Sequence, residues 1–147
     1  MKGMNEMKKI LFATDGSEHS LKAVEKVAEL AEKGEVTVLS VAEYMHIYKL
    51  PTLSQDPQFK AFNDEIEKST REAIDKTVEA LKAKGVEAKS KLGKGNPAEV
   101  ICQTASEGGF DWVVLGSRGH GRLKGLLLGS VANKVAQCTE ANVVIVK

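Results

Sequence analysis

The chain has 147 residues, 42% of them hydrophobic and 28% charged, with a formal net charge of +1. That size and apolar content predict one compact domain, 1–147, with a full core. The near-cancellation of charge excludes general attraction to nucleic acid or to a membrane surface, and no apolar run approaches the ~20 residues of a membrane span.

The opening MKGMNEMKKILFATDGS has an apolar stretch that ends early at Asp15, which fits a first strand better than a signal peptide. KKILFAT (8–14) predicts a buried strand. SEHSLKAVEKVAELAEKG (17–34) predicts a helix, with Ser17 as N-cap, Gly34 as stop, and Leu21, Val24, Val27 or Ala28, and Ala31 on one stripe. EVTVLSVA (35–42) predicts a second strand. The connection EYMHIYKLPTLSQDPQ (43–58) is long for a turn, and such loops are often functional. Its Tyr44, Met45, His46 and Tyr48 either cover a ligand or tuck onto the sheet.

Residues 59–84 predict the longest helix, with Phe59, Phe62, Ile66, Ala73, Ile74, Val78 and Leu81 in register. VEAKSKL (86–92) alternates apolar and polar, the pattern of an edge strand. NPAEVICQTASEGG (96–109) opens with Asn96 as N-cap, Pro97 at the first helical position and Glu99 as the reciprocal cap. DWVVLG (111–116) predicts a fourth strand, 130–138 a short helix and NVVIVK (142–147) a fifth strand. Cys102 and Cys138 fall in separate helical segments without CxxC spacing. That predicts two buried small side chains in a reducing cytoplasm rather than a redox or metal pair.

Strands alternating with helices predict an α/β fold: a five-stranded parallel open sheet with helices on both faces. Ligands of such sheets lie beyond the strand carboxyl ends, where the winding reverses. Two of those ends carry unusual chemistry: ATDG (13–16) after the first strand and VLGSRGHGRLKGLLLGS (114–130) after the fourth. If strands one and four are neighbours, both line one crevice. That requires the order 3-2-1-4-5, which also puts the half-polar third strand at an edge.

Asp15 reads either as a turn residue before a helix or as an acceptor for a sugar hydroxyl or base. The glycine stretch is more specific. Gly116, Gly119, Gly121, Gly125 and Gly129 let a backbone approach an anion and present N–H groups in a nest. A helix starting at Ser130 adds a positive dipole end, each favourable contact contributing about 0.3–1 kcal/mol. Arg118, His120 and Arg122 add charge-assisted contacts. Ser130 is expected both to cap its helix and to bind the anion. The expected guest is a phosphate chain. The spacing is not a Walker loop, since Arg122-Leu123 stand where Lys and Ser/Thr are needed, nor the dinucleotide fingerprint. A receiver is excluded because the third strand ends Leu92-Gly93, without a phosphoacceptor.

Gly116, two residues, Gly119, nine residues, then Gly129-Ser130 match G-x2-G-x9-G-[ST]. With ILFATDGSEHS, this resembles the ATP-binding branch of the universal stress protein family (UspA-like), over nearly the whole chain. The resemblance implies a Rossmann-like fold of the adenine nucleotide alpha hydrolase type. It implies that Asp15 holds the adenosine portion, with Ala13 and Thr14 lining the entry, and that Val41 offers backbone groups to adenine. Gly116 lies against the ribose, and Leu115 belongs to the nucleotide-binding set. Arg118, Gly119, His120, Gly121, Arg122, Gly129, Ser130, Val131 and Ala132 complete the nucleotide-binding set around the phosphates. Ala132 stands where relatives often carry a hydroxyl, so its contact is through backbone. The implied ligand is ATP, ADP or AMP, with Mg2+ or Mn2+ carried by the phosphates. No catalytic residue and no protein metal ligand is assigned.

The last strand, Val143, Val144, Ile145 and Val146, is apolar on both faces yet lies at an edge in this order. An uncovered edge of that kind aggregates, so pairing with a second copy predicts a homodimer. The leading functional reading is a cytoplasmic, nucleotide-dependent stress or regulatory switch with at most slow ATP hydrolysis. Two others stay open: an adenine-nucleotide hydrolase or transferase acting at the α-phosphate, and a chaperone-like dimer with a vestigial loop.

Overall fold

The strand expected at 8–14 is β1, Lys9–Ala13, in a computed structural model that describes residues 8–32, 34–44, 56–117 and 128–147. The helix expected at 17–34 is two: α1 (Glu18–Leu21) and α2 (Val24–Leu30). Then come β2 (Glu35–Ala42), α3 (Pro57–Ala83), β3 (Ala88–Lys94) and α4 (Pro97–Glu107). The chain closes with β4 (Trp112–Gly116), α5 (Ser130–Cys138) and β5 (Asn142–Val146). The sheet runs β3-β2-β1-β4-β5, with every pair parallel. The order required for the ends of strands one and four to share a crevice is therefore the order found.

Period-two alternation divides the central strands between two cores. Ile10 and Phe12 of β1 pack with Val36, Val38 and Val114, under Ala23, Val24, Val27, Ile74 and Leu81 from α2, α3 and the turn before α2. Leu11 and Ala13 face the other way, with Leu39, Val113 and Leu115, under Ala98, Ile101 and Ala105 of α4 and Ala132 and Val135 of α5. Burying one large apolar side chain of this kind contributes about 1.5–3 kcal/mol. β3 exposes Lys89, Ser90 and Lys91, as an edge strand should.

The break between α1 and α2 comes where the Ala23 N–H donates to Ser20 (3.0 Å) instead of one residue earlier; the ladder restarts when Val27 N–H donates to Ala23 (2.9 Å). α3 begins two residues before its predicted start. Asp56 accepts from the Gln58 N–H (2.8 Å) and Pro57 occupies the first turn. The buried residues of α3 are Thr70, Ala73, Ile74, Thr77 and Leu81, all in its later part, whereas Phe62 is 49% exposed. Length explains this: its 27 residues rise about 40 Å, while the 8 residues of β2 span about 26 Å. The helical period continues past the sheet it packs on.

The expectation of two separate buried cysteines is corrected. Cys102 and Cys138, 36 positions apart in sequence, form a disulfide with Cα atoms 6.0 Å apart. α4 and α5 lie side by side on one face, which brings the two positions together. Cys102 is half-buried and Cys138 exposed. Cross-linking a loop of this length stabilises a fold by about 4 kcal/mol in the chain-entropy account.

Gly116 ends β4 where α1 crosses it. A Cβ there would lie 2.8 Å from the His19 carbonyl oxygen and 3.2 Å from the Ser20 nitrogen. Backbone cannot yield as a side-chain tip can, so Gly116→Ala is expected to cost about 1–3 kcal/mol through displacement of α1. Urea unfolding of the variant checks this; an unchanged midpoint would mean that α1 does not pack against this strand end.

Candidate functional site

β1 pairs with β2 on one side and β4 on the other, and Ala13 lies opposite both Leu39 and Leu115. The chain leaves β1 toward β2 and returns later to β4, so the winding reverses here and the two connections diverge. A crevice of about 330 Å³ opens at this point, within the range of small-molecule sites.

One wall is the turn after β1. The Asp15 Oδ1 accepts from the Ser17 N–H (2.9 Å) and from the Ser20 hydroxyl (2.7 Å). Asp15 therefore has the turn role expected of Asp-Gly, and the same turn holds its carboxylate at the crevice. Gly16 follows with φ +78°, and a Cβ there would meet that of Ala73 at 2.9 Å. Both the left-handed backbone and the approach of α3 require glycine. The Thr14 hydroxyl pairs with that of Thr77 on α3 (3.1 Å) and accepts from the Gly16 N–H (3.1 Å). Thr77 is fully buried and donates to the Ala73 carbonyl (2.8 Å). This buried hydroxyl chain braces the turn from behind.

The opposite wall is the start of α5. Its N-cap is Gly129, with no side-chain cap, and Ser130 is the first helical residue. The expectation that the Ser130 hydroxyl caps its own helix is corrected: capping needs the extended backbone of the preceding position, which Gly129 occupies (φ −72°, ψ 168°). By contrast Ser17, Asp56 and Asn96 all cap their helices with side-chain oxygens. The first amides of α5 have no partner within the helix, and its positive dipole end faces the crevice. Ser117 ties this wall down. Its N–H donates to the Val146 carbonyl (2.8 Å), and its own carbonyl accepts from the Gly129 N–H (2.6 Å).

Ala13, Thr14, Asp15, Val41, Leu115, Gly116, Ser130, Val131 and Ala132 all line the crevice. Gly129 is at its edge as the α5 cap. Arg118, Gly119, His120, Gly121 and Arg122 lie outside the described residues, as do Met45, His46 and Tyr48. Tyr44 does not line the crevice. Its hydroxyl donates to Glu67 on α3 (3.1 Å), and Lys94 stands 5.7 Å from its ring centre. Burial, then the Glu67 carboxylate, raises the Tyr44 hydroxyl above its ordinary pKa; hydrogen bonds from Arg71 and then Tyr44 lower that of Glu67.

Ser20, Leu39, Ser40, Glu43, Pro97, Ile101 and Ser117 also line the crevice and were not foreseen. The capped start of α4 was legible, and its placement beside α5 would have pointed to Pro97. Ser20 carried no signal beyond its helical period. Among the described residues, no three His, Cys, Asp or Glu side chains converge on a metal-sized site, and no helix is long and apolar enough to cross a membrane.

The universal stress protein family matches residues 6–147 of this chain. The universal stress protein YxiE of Bacillus subtilis is 32% identical over 145 residues, covering 95% of this chain and 98% of YxiE. The solved structure of MJ0577, a universal stress protein of Methanocaldococcus jannaschii, superposes with a TM-score of 0.81 at 27% identity, covering 95% of both chains. An Arabidopsis thaliana family protein, solved with AMP bound, shares the fold at a TM-score of 0.64 and 20% identity, covering 95% of this chain and 91% of its own. With the sheet order, the crevice and these likenesses on one footing, the chain belongs to the universal stress protein family.

Proposed function

We propose that this protein binds an adenine nucleotide in the crevice between β1 and β4 and acts as a nucleotide-dependent regulatory switch, with ATP as its ligand. The observation that carries the reading is the convergence of two elements: the Asp15 turn, and an α5 N-terminus without a side-chain cap. A carboxylate facing the first amides of a helix across one cavity suits a molecule with sugar hydroxyls at one end and phosphates at the other. The Arabidopsis relative solved with AMP supports the adenine assignment.

In this reading Asp15 accepts from the ribose, and Val41 offers backbone to the base. Leu115 and Gly116 flank the sugar. The amides of Ser130, Val131 and Ala132 hold phosphate oxygens, and Gly129, whose own N–H is bonded to the Ser117 carbonyl, lets the phosphates approach them. Arg118, Gly119, His120, Gly121 and Arg122 extend the phosphate grip. A divalent ion would ride on the phosphates, since the crevice carboxylates Asp15 and Glu43 belong to no metal cluster among the described residues. Hydrolysis, which needs a placed water, a base and charge stabilisation, is proposed to be slow at most. The site of action is proposed to be the cytoplasm.

The protein is further proposed to be a homodimer through β5. Val143, Val144, Ile145 and Val146 are apolar but only half-buried, and β5 pairs with β4 alone. A second β5 would cover them and complete the hydrogen bonding of the edge.

Three outcomes test these statements. Ser130→Asp places a carboxylate on the α5 dipole, which favours the helix by about 0.3–1 kcal/mol while repelling phosphate. It is expected to raise the melting point slightly and weaken ATP binding at least tenfold by calorimetry; unweakened binding would remove α5 from the site. Asp15→Asn keeps an oxygen for the Ser17 N–H but loses the charge. It is expected to lower ATP affinity about tenfold, the worth of a hydrogen bond to a charged group. Equal affinity would leave Asp15 with its turn role alone. Light scattering at micromolar concentration should give twice the chain mass, and a single-chain mass would overturn the dimer.

A further inference from the structure

A second cleft, of about 570 Å³, lies away from the crevice, around the later parts of α4 and α5. The disulfide is part of its wall, with Ser106, Asp111, Glu140 and Asn142 around it. Cys138 is the more exposed residue of the two, Cys102 being half-buried, and attack from the cleft is assigned to Cys138. The two sulfurs lie against the helices they join: Cys102 Sγ is 3.9 Å from the Val135 carbonyl of α5, and Cys138 Sγ is 3.9 Å from the Ala98 carbonyl of α4.

The same two helices build one wall of the crevice. Pro97 and Ile101 of α4 and Ser130, Val131 and Ala132 of α5 line it, and Ile101 immediately precedes Cys102. α5 has nine residues and buries only Ala132 and Val135. A helix that short has little stability of its own, and it is held by two buried side chains, Ala132 and Val135, and by a covalent bond at its last residue. The bond thus fixes the direction of the helix whose first amides face the crevice. Disulfides in reducing compartments are characteristically transient or redox-sensing rather than structural.

We propose that Cys102–Cys138 is a thiol–disulfide exchange site for a small-molecule thiol, and that its redox state sets how tightly the crevice holds adenine nucleotide. The second half rests on the function proposed above. The thiolate of the small molecule attacks Cys138 Sγ. The Cys102–Cys138 bond breaks, and Cys102 leaves with the electron pair and takes a proton from water. A second small thiolate attacks the outer sulfur of the mixed disulfide and releases Cys138, which is protonated in turn. Two thiols are oxidised to one small disulfide while the protein disulfide is reduced to two thiols, and the reverse sequence restores it. The charged side chains lining the cleft are Asp111, whose Oδ2 accepts from the Lys9 N–H (2.8 Å), and Glu140. The cleft therefore favours a neutral or cationic thiol over an anionic one.

The test uses the full chain. After oxidation with cystamine and removal of excess reagent, native alkylation with iodoacetamide should modify neither cysteine by intact mass. After cysteamine it should modify both. Cysteamine should reduce the bond faster than thioglycolate at equal thiolate concentration. ATP should bind the reduced form about fivefold more weakly than the oxidised form, in the range of ordinary coupling between sites, and cystamine should restore the affinity. The Cys102→Ser/Cys138→Ser double variant should match the reduced form in either buffer. Alkylation of both cysteines in cystamine-treated protein, faster reduction by thioglycolate, or equal ATP affinity in both forms would overturn the proposal. Failure of ATP to bind either form would sink the nucleotide reading and the coupling with it, and alkylation alone would then decide the exchange site.

Discussion

β1 carries hydrogen-bonded neighbours on both sides, and the chain reaches them by crossings over opposite faces of the sheet. That pairing makes the crevice. Parallel strands force each return crossing to cover a face, so one core forms under α2 and α3 and the other under α4 and α5. The two coverings part at the carboxyl ends of β1 and β4. The turn after β1 and the start of α5 are left facing each other across the opening.

The glycines at the crevice serve different physical ends. Gly16 is required by its backbone angle and by α3 pressing on it. Gly116 is required because the α1 backbone passes within contact of where a side chain would begin. Gly129 occupies the cap position of α5 without supplying a side-chain oxygen, and so leaves the helix amides to other partners. A glycine-rich stretch that reads from sequence as one ligand-binding device is, at Gly116, first a packing requirement of the fold.

The sheet order was legible because two strand ends, after β1 and after β4, carry chemistry that belongs at one crevice, and only one order brings them together. The half-polar VEAKSKL agreed with it at one edge, while the apolar run of β5 forms the other edge, so polarity alone does not order the sheet. Local pattern failed wherever the deciding fact was tertiary. No Gly or Pro marks the break at Lys22–Ala23, since the apolar stripe continues through it. Phe62 keeps the helical period of α3 after the sheet beneath has ended. Two cysteines 36 residues apart meet only because α4 and α5 share a face. The Ser130 hydroxyl was assigned a cap because the cap depends on a backbone angle at Gly129 that composition does not reveal.

Ser117 makes two main-chain bonds, one to the end of β5 and one to the entry of α5. The end of the last strand and the entry of α5 thus hang on the backbone of one residue. Linked equilibria are reciprocal, so a displacement of the strand that loosened this entry would be opposed by whatever held the entry in place.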